Sequence, residues 1–347
     1  MLDSTSNSDS RKPADANWRW WGITLIVTSV LVICVESHWR SQGHRPSVVD
    51  DKDLWCAKRT DITSDPQCLV LLGASRIQLG FDTELFADHY PQWTLSHLAV
   101  DGASPLATLK ALSEDETFKG VIICAVAMPM VRDDHLQDQQ PWLDHYRDHW
   151  TINRSINRRM SSFAQSKLTL MNPLFSFNNM LEHAVDGEWP TPHYVTTLTD
   201  RSRAADFSKT DVQTHITHRN ESAQKQLANK PIDFHEQWHA IGKNIHAWVA
   251  AIKLRGGTVV FLRMPIDGGY AAAYNKYAPR EEYFDHFAKI TGAQTIHFQD
   301  IPEMAKLHCP EGSHIDQRDK ETLTNALLNE LVNRKLLPSA KRKSIQQ

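Results

Sequence analysis

In the stretch "LVLLGASRIQLG" (residues 69–80), four apolar residues run straight into Gly-Ala-Ser-Arg, presenting Ser75 where a buried strand should end. Far downstream, "CPEGSHID" (309–316) sets Glu311 three positions ahead of His314. A serine hydroxyl is a poor nucleophile until a base takes its proton, and a carboxylate on that base fixes its tautomer. Ser75, His314 and Glu311 are therefore candidate catalytic residues for nucleophilic acyl chemistry. Other readings stay open: Ser75 also suits a phosphate contact or a helix N-cap, and Asp300 and Asp316 lie near Glu311 in sequence. Arg76, beside the serine, and Arg263, at the end of a later apolar run, are candidate contacts for an anionic substrate. Structural ion pairs are the plainer alternative for both.

A rival constellation is "HEQWH" (235–239), which matches H-E-x-x-H. Two histidines one helical turn apart can bind Zn²⁺ while the glutamate polarises water, as in a zinc protease. The chain has 18 His, so a chance match is not rare. His235, Glu236 and His239 sit at a helix start. Glu281, Glu282 and the "HITH" histidines (215–218) are the only candidates for a third ligand. No metal is assigned on this basis.

The elements that must position these residues alternate. "QCLVLLG", "WTLSHLAV", "GVIICAVAM", "TVVFLRMP" and "AQTIHFQD" read as five strands, with helical segments between them. Strands separated by helices predict an α/β fold: a doubly wound, flavodoxin-like, five-stranded parallel sheet. In such a sheet ligands bind beyond the carboxyl ends of the strands. Ser75, the 101–104 turn, Arg263 and the 309–316 loop all fall there. Ser104 reads as a helix cap. The rhythm breaks over about 130–235, which shows no clear strand and predicts a large, mainly helical insertion serving as a lid or a partner surface.

Upstream, "WWGITLIVTSVLVICV" carries no charge between Arg19 and Glu36 and is flanked by tryptophans. It predicts a transmembrane anchor at 18–39, retained because no small-residue cleavage site follows it. Arg11, Lys12 and Arg19 give a slight bias towards a cytoplasmic N-terminus. The predicted layout is a disordered cytoplasmic tail (1–17), the anchor, a stalk (40–65), a domain (66–338) and a basic tail (339–347). A net charge of −3 gives no electrostatic case for nucleic acid. Cys56 and Cys68 flank a polar loop and are a candidate disulfide in an oxidising compartment.

Gly-x-Ser after the first strand, Gly102 after the second and acid-x-x-His before the last helix together resemble the SGNH (GDSL-type) hydrolase superfamily. The resemblance spans roughly residues 66–335, with 130–235 outside it. It implies Ser75 as nucleophile, His314 as base and Glu311 in place of the usual Asp. The backbone N–H groups of Ser75 and Gly102 would form the oxyanion hole, with no cofactor required. Membrane-anchored members of the superfamily act on cell-envelope polymers. That likeness implies a serine-dependent acyl-ester hydrolase or O-acyltransferase for an envelope polysaccharide or other acylated glycan. It further implies a single-pass protein of the bacterial inner membrane with a periplasmic domain, partnered by a membrane-bound O-acyltransferase. Two departures stand out. The place of the family's third-block Asn reads "AVAMPM", and losing one oxyanion donor costs about 100-fold or more in rate. Glu311 is also longer than Asp. Both keep open a catalytically degenerate module that binds glycan or scaffolds a membrane acylation or export complex.

Overall fold

The computed structural model describes residues 18–187 and 189–339. Among the described residues seven strands occur in chain order: β1 (Cys68–Leu72), β2 (Thr94–His97), β3 (Val121–Ala125), β4 (Val195–Thr197), β5 (Arg203–Ala205), β6 (Thr258–Arg263) and β7 (Gln294–His297). Five form one parallel sheet in the order β2-β1-β3-β6-β7, so the fold is the α/β parallel sheet expected. Every residue of β1 and β3 is buried, which is why "CLVLL" and "VIICA" read as continuous apolar runs rather than alternating ones. The edge strands β2 and β7 are buried only over their last two residues. β1 lies between β2 and β3, so the chain leaves it in one direction and returns on the other side. That reversal opens a crevice beyond the carboxyl ends of β1 and β3.

Helices Leu106–Glu114, Phe234–Leu254, Phe284–Thr291 and Lys320–Asn333 cover the sheet where the sequence placed them. The segment after β1 holds two short helices, Ser75–Gly80 and Thr83–His89, because Asp82 breaks the first and caps the second by accepting from Glu84 and Leu85 N–H. Ser104 is not a cap. Its hydroxyl donates to the Met130 carbonyl at 3.0 Å, and helix Leu106–Glu114 starts after Pro105.

Residues 130–235 contain helices, among them Ile152–Lys167 and Val212–Ala228, and also the antiparallel pair β4–β5. Strands of three residues are too short to show alternation in sequence. The turn between them carries Arg201, fully buried at a left-handed φ of 73°. Its guanidinium pairs with Asp50 at 2.6 Å and donates to the His97 carbonyl at 2.8 Å, pinning the insertion to the end of β2.

Residues 40–65, read above as a stalk, fold against the domain. Helix Lys52–Thr60 buries Leu54, Trp55, Cys56 and Ala57, and Trp55 Nε1 donates to the Leu98 carbonyl at 3.0 Å. The disulfide expectation fails for the same reason. Cys56 and Cys68 are both free, and each is buried in the core. Burial pushes the Cys56 thiol up to about 12 and raises that of Cys68 as well. The segment read above as an anchor forms helix Trp18–Ser41, with a mean hydropathy of 1.8 in its most apolar window and long enough to cross a membrane. Only Glu36 and Trp39 are buried in it. Glu36 accepts from the Thr169 and Leu170 N–H groups at 2.9 and 3.1 Å, so the helix end is held by the insertion. The tails expected at 1–17 and, beyond residue 339, at the C-terminus lie outside the described residues.

Candidate active site

β1 delivers its load through Gly73, which adopts φ +143°. A Cβ there would lie 2.9 Å from Ala125 Cβ and 3.0 Å from the Ala125 carbonyl oxygen, so only glycine lets the chain turn this close to β3. Ser75 is then the first residue of its helix. The N-cap position belongs to Ala74 and makes no side-chain cap, so the Ser75 hydroxyl is not spent on capping. It meets His314 Nε2 at 2.8 Å. His314 Nδ1 in turn meets Glu311 Oε1 at 2.6 Å. The loop that carries both turns sharply at Gly312 (φ +90°), whose N–H donates to the Cys309 carbonyl at 2.8 Å. Glu311 and His314 are both buried.

The second oxygen of Glu311 is taken by a residue that sequence reasoning missed. Arg219, on helix Val212–Ala228 of the insertion, donates its Nε–H to Glu311 Oε2 at 2.7 Å, and its Nη2 lies 3.5 Å from His314 Nδ1. Burial works against ionisation of Glu311, but the bond and charge of His314 together with Arg219 outweigh it and hold the carboxyl below its usual range. For His314, burial is the largest influence and lowers its pKa. Glu311 draws it back up, Arg219 and Arg76 push it down again, and the net direction is down. At neutral pH the imidazole is therefore uncharged. With Glu311 ionised, the proton sits on Nδ1 and Nε2 offers its lone pair to the Ser75 hydroxyl.

Gly102 follows the β2 turn at φ +68°. Its neighbour Asp101 faces the same site: burial opposes its charge, but the Arg203 pair at 2.8 Å, with lesser contributions from His314 and Ser75, keeps its carboxyl below the usual range. The Ser75 N–H, at the first helical position, has no partner within the helix. Past β3, where a third donor was sought, stand Ala127 and Met128, and the Met128 N–H is already committed to the Tyr274 hydroxyl. A small apolar pocket opens beside Ala74 and Arg76, walled by Ala103, Val126, Ala127 and Val131.

Arg76 and Arg263, expected at one crevice, line different cavities. Arg76 donates to Ser313 Oγ at 3.1 Å and to the Tyr270 hydroxyl. Arg263 stacks on Tyr274, with its guanidinium carbon 3.8 Å from the ring centre. Among the described residues neither makes an ion pair, which removes the plainer reading of both. Asp316 is occupied elsewhere, pairing with Arg318 at 2.6 Å and accepting from the Phe207 N–H. Asp300 pairs with Arg280.

The H-E-x-x-H residues do not build a zinc site. His235 and His239 are exposed, with ring centres 4.5 Å apart. Among the described residues no third ligand joins them. His215 is bonded to Thr210.

No protein-family model matches the chain, and no curated protein sequence matches it. Solved structures with some likeness include TesA and the psychrotrophic esterase EstA from Pseudoalteromonas sp., each 10% identical with a TM-score of 0.34. Each comparison covers 78% of this chain, with 99% of TesA and 100% of EstA. At that distance the likeness decides nothing about chemistry.

Proposed function

We propose that the chain is a serine-dependent acyl-ester hydrolase or O-acyltransferase acting on a cell-envelope polysaccharide. The single observation that carries this reading is the hydrogen-bonded row Ser75–His314–Glu311, at 2.8 and 2.6 Å. In the reading, His314 Nε2 takes the Ser75 proton as Oγ attacks the acyl carbonyl. The Ser75 and Gly102 N–H groups face the oxyanion that forms. Collapse expels the alcohol, which takes the proton back from His314 and leaves an acyl group on Ser75. Water or a sugar hydroxyl, deprotonated by the same imidazole, then receives that acyl group. The apolar pocket beside Ala74 suits a short acyl chain. With two oxyanion donors instead of three, turnover would be slow.

The anchor helix supports the membrane part of the proposal. The arrangement suggested is a cytoplasmic N-terminus with the domain on the periplasmic side of a bacterial inner membrane. A membrane-bound O-acyltransferase would be the source of acyl groups. The competing reading, a glycan-binding or scaffolding module, draws on the apolar Ala127–Met128 step and on the Asp101 carboxylate beside the nucleophile.

The test is to treat the full-length protein in detergent with a fluorophosphonate probe, alongside Ser75→Ala. Labelling of the wild type that is lost in the variant supports an activated serine. A folded wild type that does not label would reject catalysis and leave the binding module.

A further inference from the structure

Among the described residues outside helix Trp18–Ser41, every exposed large apolar side chain except Ile232 and Leu254 falls between residues 152 and 189. Scattered singly, such residues need no explanation, but a cluster of them marks a surface that something covers. Helix Ile152–Lys167 is turned inside out. Its buried residues are Arg158 and Ser162. Ion pairs hold that polar side to the domain: Arg154–Asp53 at 3.1 Å, Arg158–Asp51 at 3.3 Å and Arg159–Asp61 at 3.0 Å. Ile152, Ile156, Met160 and Phe163, spaced along one helical face, are left exposed. A helix packed on a core would present the opposite face. Helix Phe177–Asp186 follows, with Leu181 and Val185 exposed one turn apart and Trp189 exposed just beyond it.

The place of these faces says what covers them. The link between the two helices is fastened to the end of helix Trp18–Ser41, through the Glu36 bonds to the Thr169 and Leu170 N–H groups and a 2.7 Å bond from Arg40 Nη2 to the Lys167 carbonyl. Met180, Trp189 and Pro190 share a cleft with Cys34, Val35 and Trp39. Cys34 and Val35 are the last two residues of the charge-free stretch. Where that stretch crosses a bilayer, they stand at the edge of its hydrocarbon layer, and side chains beside them stand among the headgroups. Tryptophan is favoured at that level. Helix Ile152–Lys167 carries no acidic residue, so nothing on it repels anionic headgroups.

We propose that residues 152–189 rest on the bilayer that helix Trp18–Ser41 crosses. The Ile152–Phe163 face and the Leu181–Val185 face lie in the boundary between headgroups and acyl chains, as an interfacial amphipathic helix does. The proposal rests on reading helix Trp18–Ser41 as a membrane span, and it stands whether or not Ser75 is a nucleophile.

The test uses the full-length protein, one copy per nanodisc of phosphatidylcholine and phosphatidylglycerol, with an environment-sensitive fluorophore on a single introduced cysteine. Cys34 is the one exposed cysteine among the described residues, so Cys34→Ser is the background. Every labelled position is exposed, and circular dichroism checks that folding is intact. Met160→Cys and Leu181→Cys should each lose roughly half their emission to a lipid bearing a nitroxide near its headgroup, and little to aqueous iodide. Leu254→Cys, exposed but outside the patch, should do the reverse. Val27→Cys, midway along helix Trp18–Ser41, should be quenched by a nitroxide at the acyl-chain end. A quenched Val27 probe with the Met160 or Leu181 probe open to iodide would overturn the proposal, keep the span and leave the face to a protein partner. A Val27 probe open to iodide would remove the span, and the proposal with it. Equal lipid quenching at Leu254 would mean adsorption without a preferred face and would also overturn the proposal.

Discussion

Arg219→Met should move the acid limb of Ser75 reactivity to higher pH. In the wild type the guanidinium lies 3.5 Å from His314 Nδ1 and bonds Glu311 Oε2 at 2.7 Å. Its charge opposes protonation of the imidazole, and it also weakens the pull of Glu311 for that proton, so both effects act in one direction. Unit charges 3.5 Å apart interact by about 5 kcal/mol at an effective dielectric of 20 and about 1 kcal/mol in water. The Arg219 side chain is 45% exposed, which places the pair near the lower figure. About 1 kcal/mol changes the imidazolium-to-imidazole ratio roughly fivefold. The assay is the second-order rate of fluorophosphonate labelling between pH 5 and 8.5. Wild-type labelling should rise with pH to a plateau as His314 loses its proton, with a midpoint on the acid side of an ordinary histidine. On that rising limb the variant, relative to its own plateau, should label roughly fivefold more slowly. High salt should move the wild-type limb the same way by a smaller amount. A plateau that collapses while the limb stays put, or a limb displaced to lower pH, would refute the electrostatic role and leave Arg219 a structural tie.

Other outcomes follow from the same geometry. Glu311→Gln turns an acceptor into an amide that can donate to His314 Nδ1, forcing the proton onto Nε2; labelling should fall roughly 10³-fold with folding intact by circular dichroism. Gly73→Ala places a methyl 2.9 Å from Ala125 Cβ at a φ that L-residues avoid, so denaturant unfolding should show a loss of more than about 2 kcal/mol. His97 has both ring nitrogens buried and unpartnered, and burial followed by Arg201 lowers it to about 3. A folded-state pKa below the unfolded value means that the unfolded chain binds the extra proton. Its contribution is therefore complete above about pH 6.5 and is lost as pH falls from there towards 3, amounting to about 2 kcal/mol at pH 5. His97→Leu should flatten the fall in unfolding free energy between pH 7 and pH 5 by about that amount.

Much of the sheet was legible because its strands are buried on both faces. "CLVLL", "VIICA" and "TVVFLR" advertise themselves as apolar runs; Gly73 marks the stop of the first and Arg263 that of the last, while the second runs on into "VAMPM". Ser75, His314 and Glu311 were legible as residue types in an order, and the fold brings them into contact. What failed did so for local reasons. The 40–65 segment looked like a stalk because its helix is short, with a core signal confined to the four residues Leu54 to Ala57 between charged flanks. The cysteine pair looked like a loop staple because sequence spacing says nothing about which way two thiols point. Arg219 had no legible signal at all, since its partner lies 92 residues away and a lone arginine on an exposed helix has no periodicity to betray it.

That miss bears on what the insertion is for. A lid would touch the site from one side and leave the fold otherwise unchanged. Here the segment between β3 and β6 holds helix Trp18–Ser41 through Glu36. It locks the end of β2 through the buried Arg201. Through Arg219 it supplies the second bond on the carboxylate that orients His314. Removing such a segment would strip a partner from Glu311, leaving a buried carboxylate with one bond in place of two and a histidine less firmly aimed. The insertion is thus part of the site's supporting structure. A domain trimmed of it should lose Ser75 reactivity through His314 even where the five-stranded sheet survives.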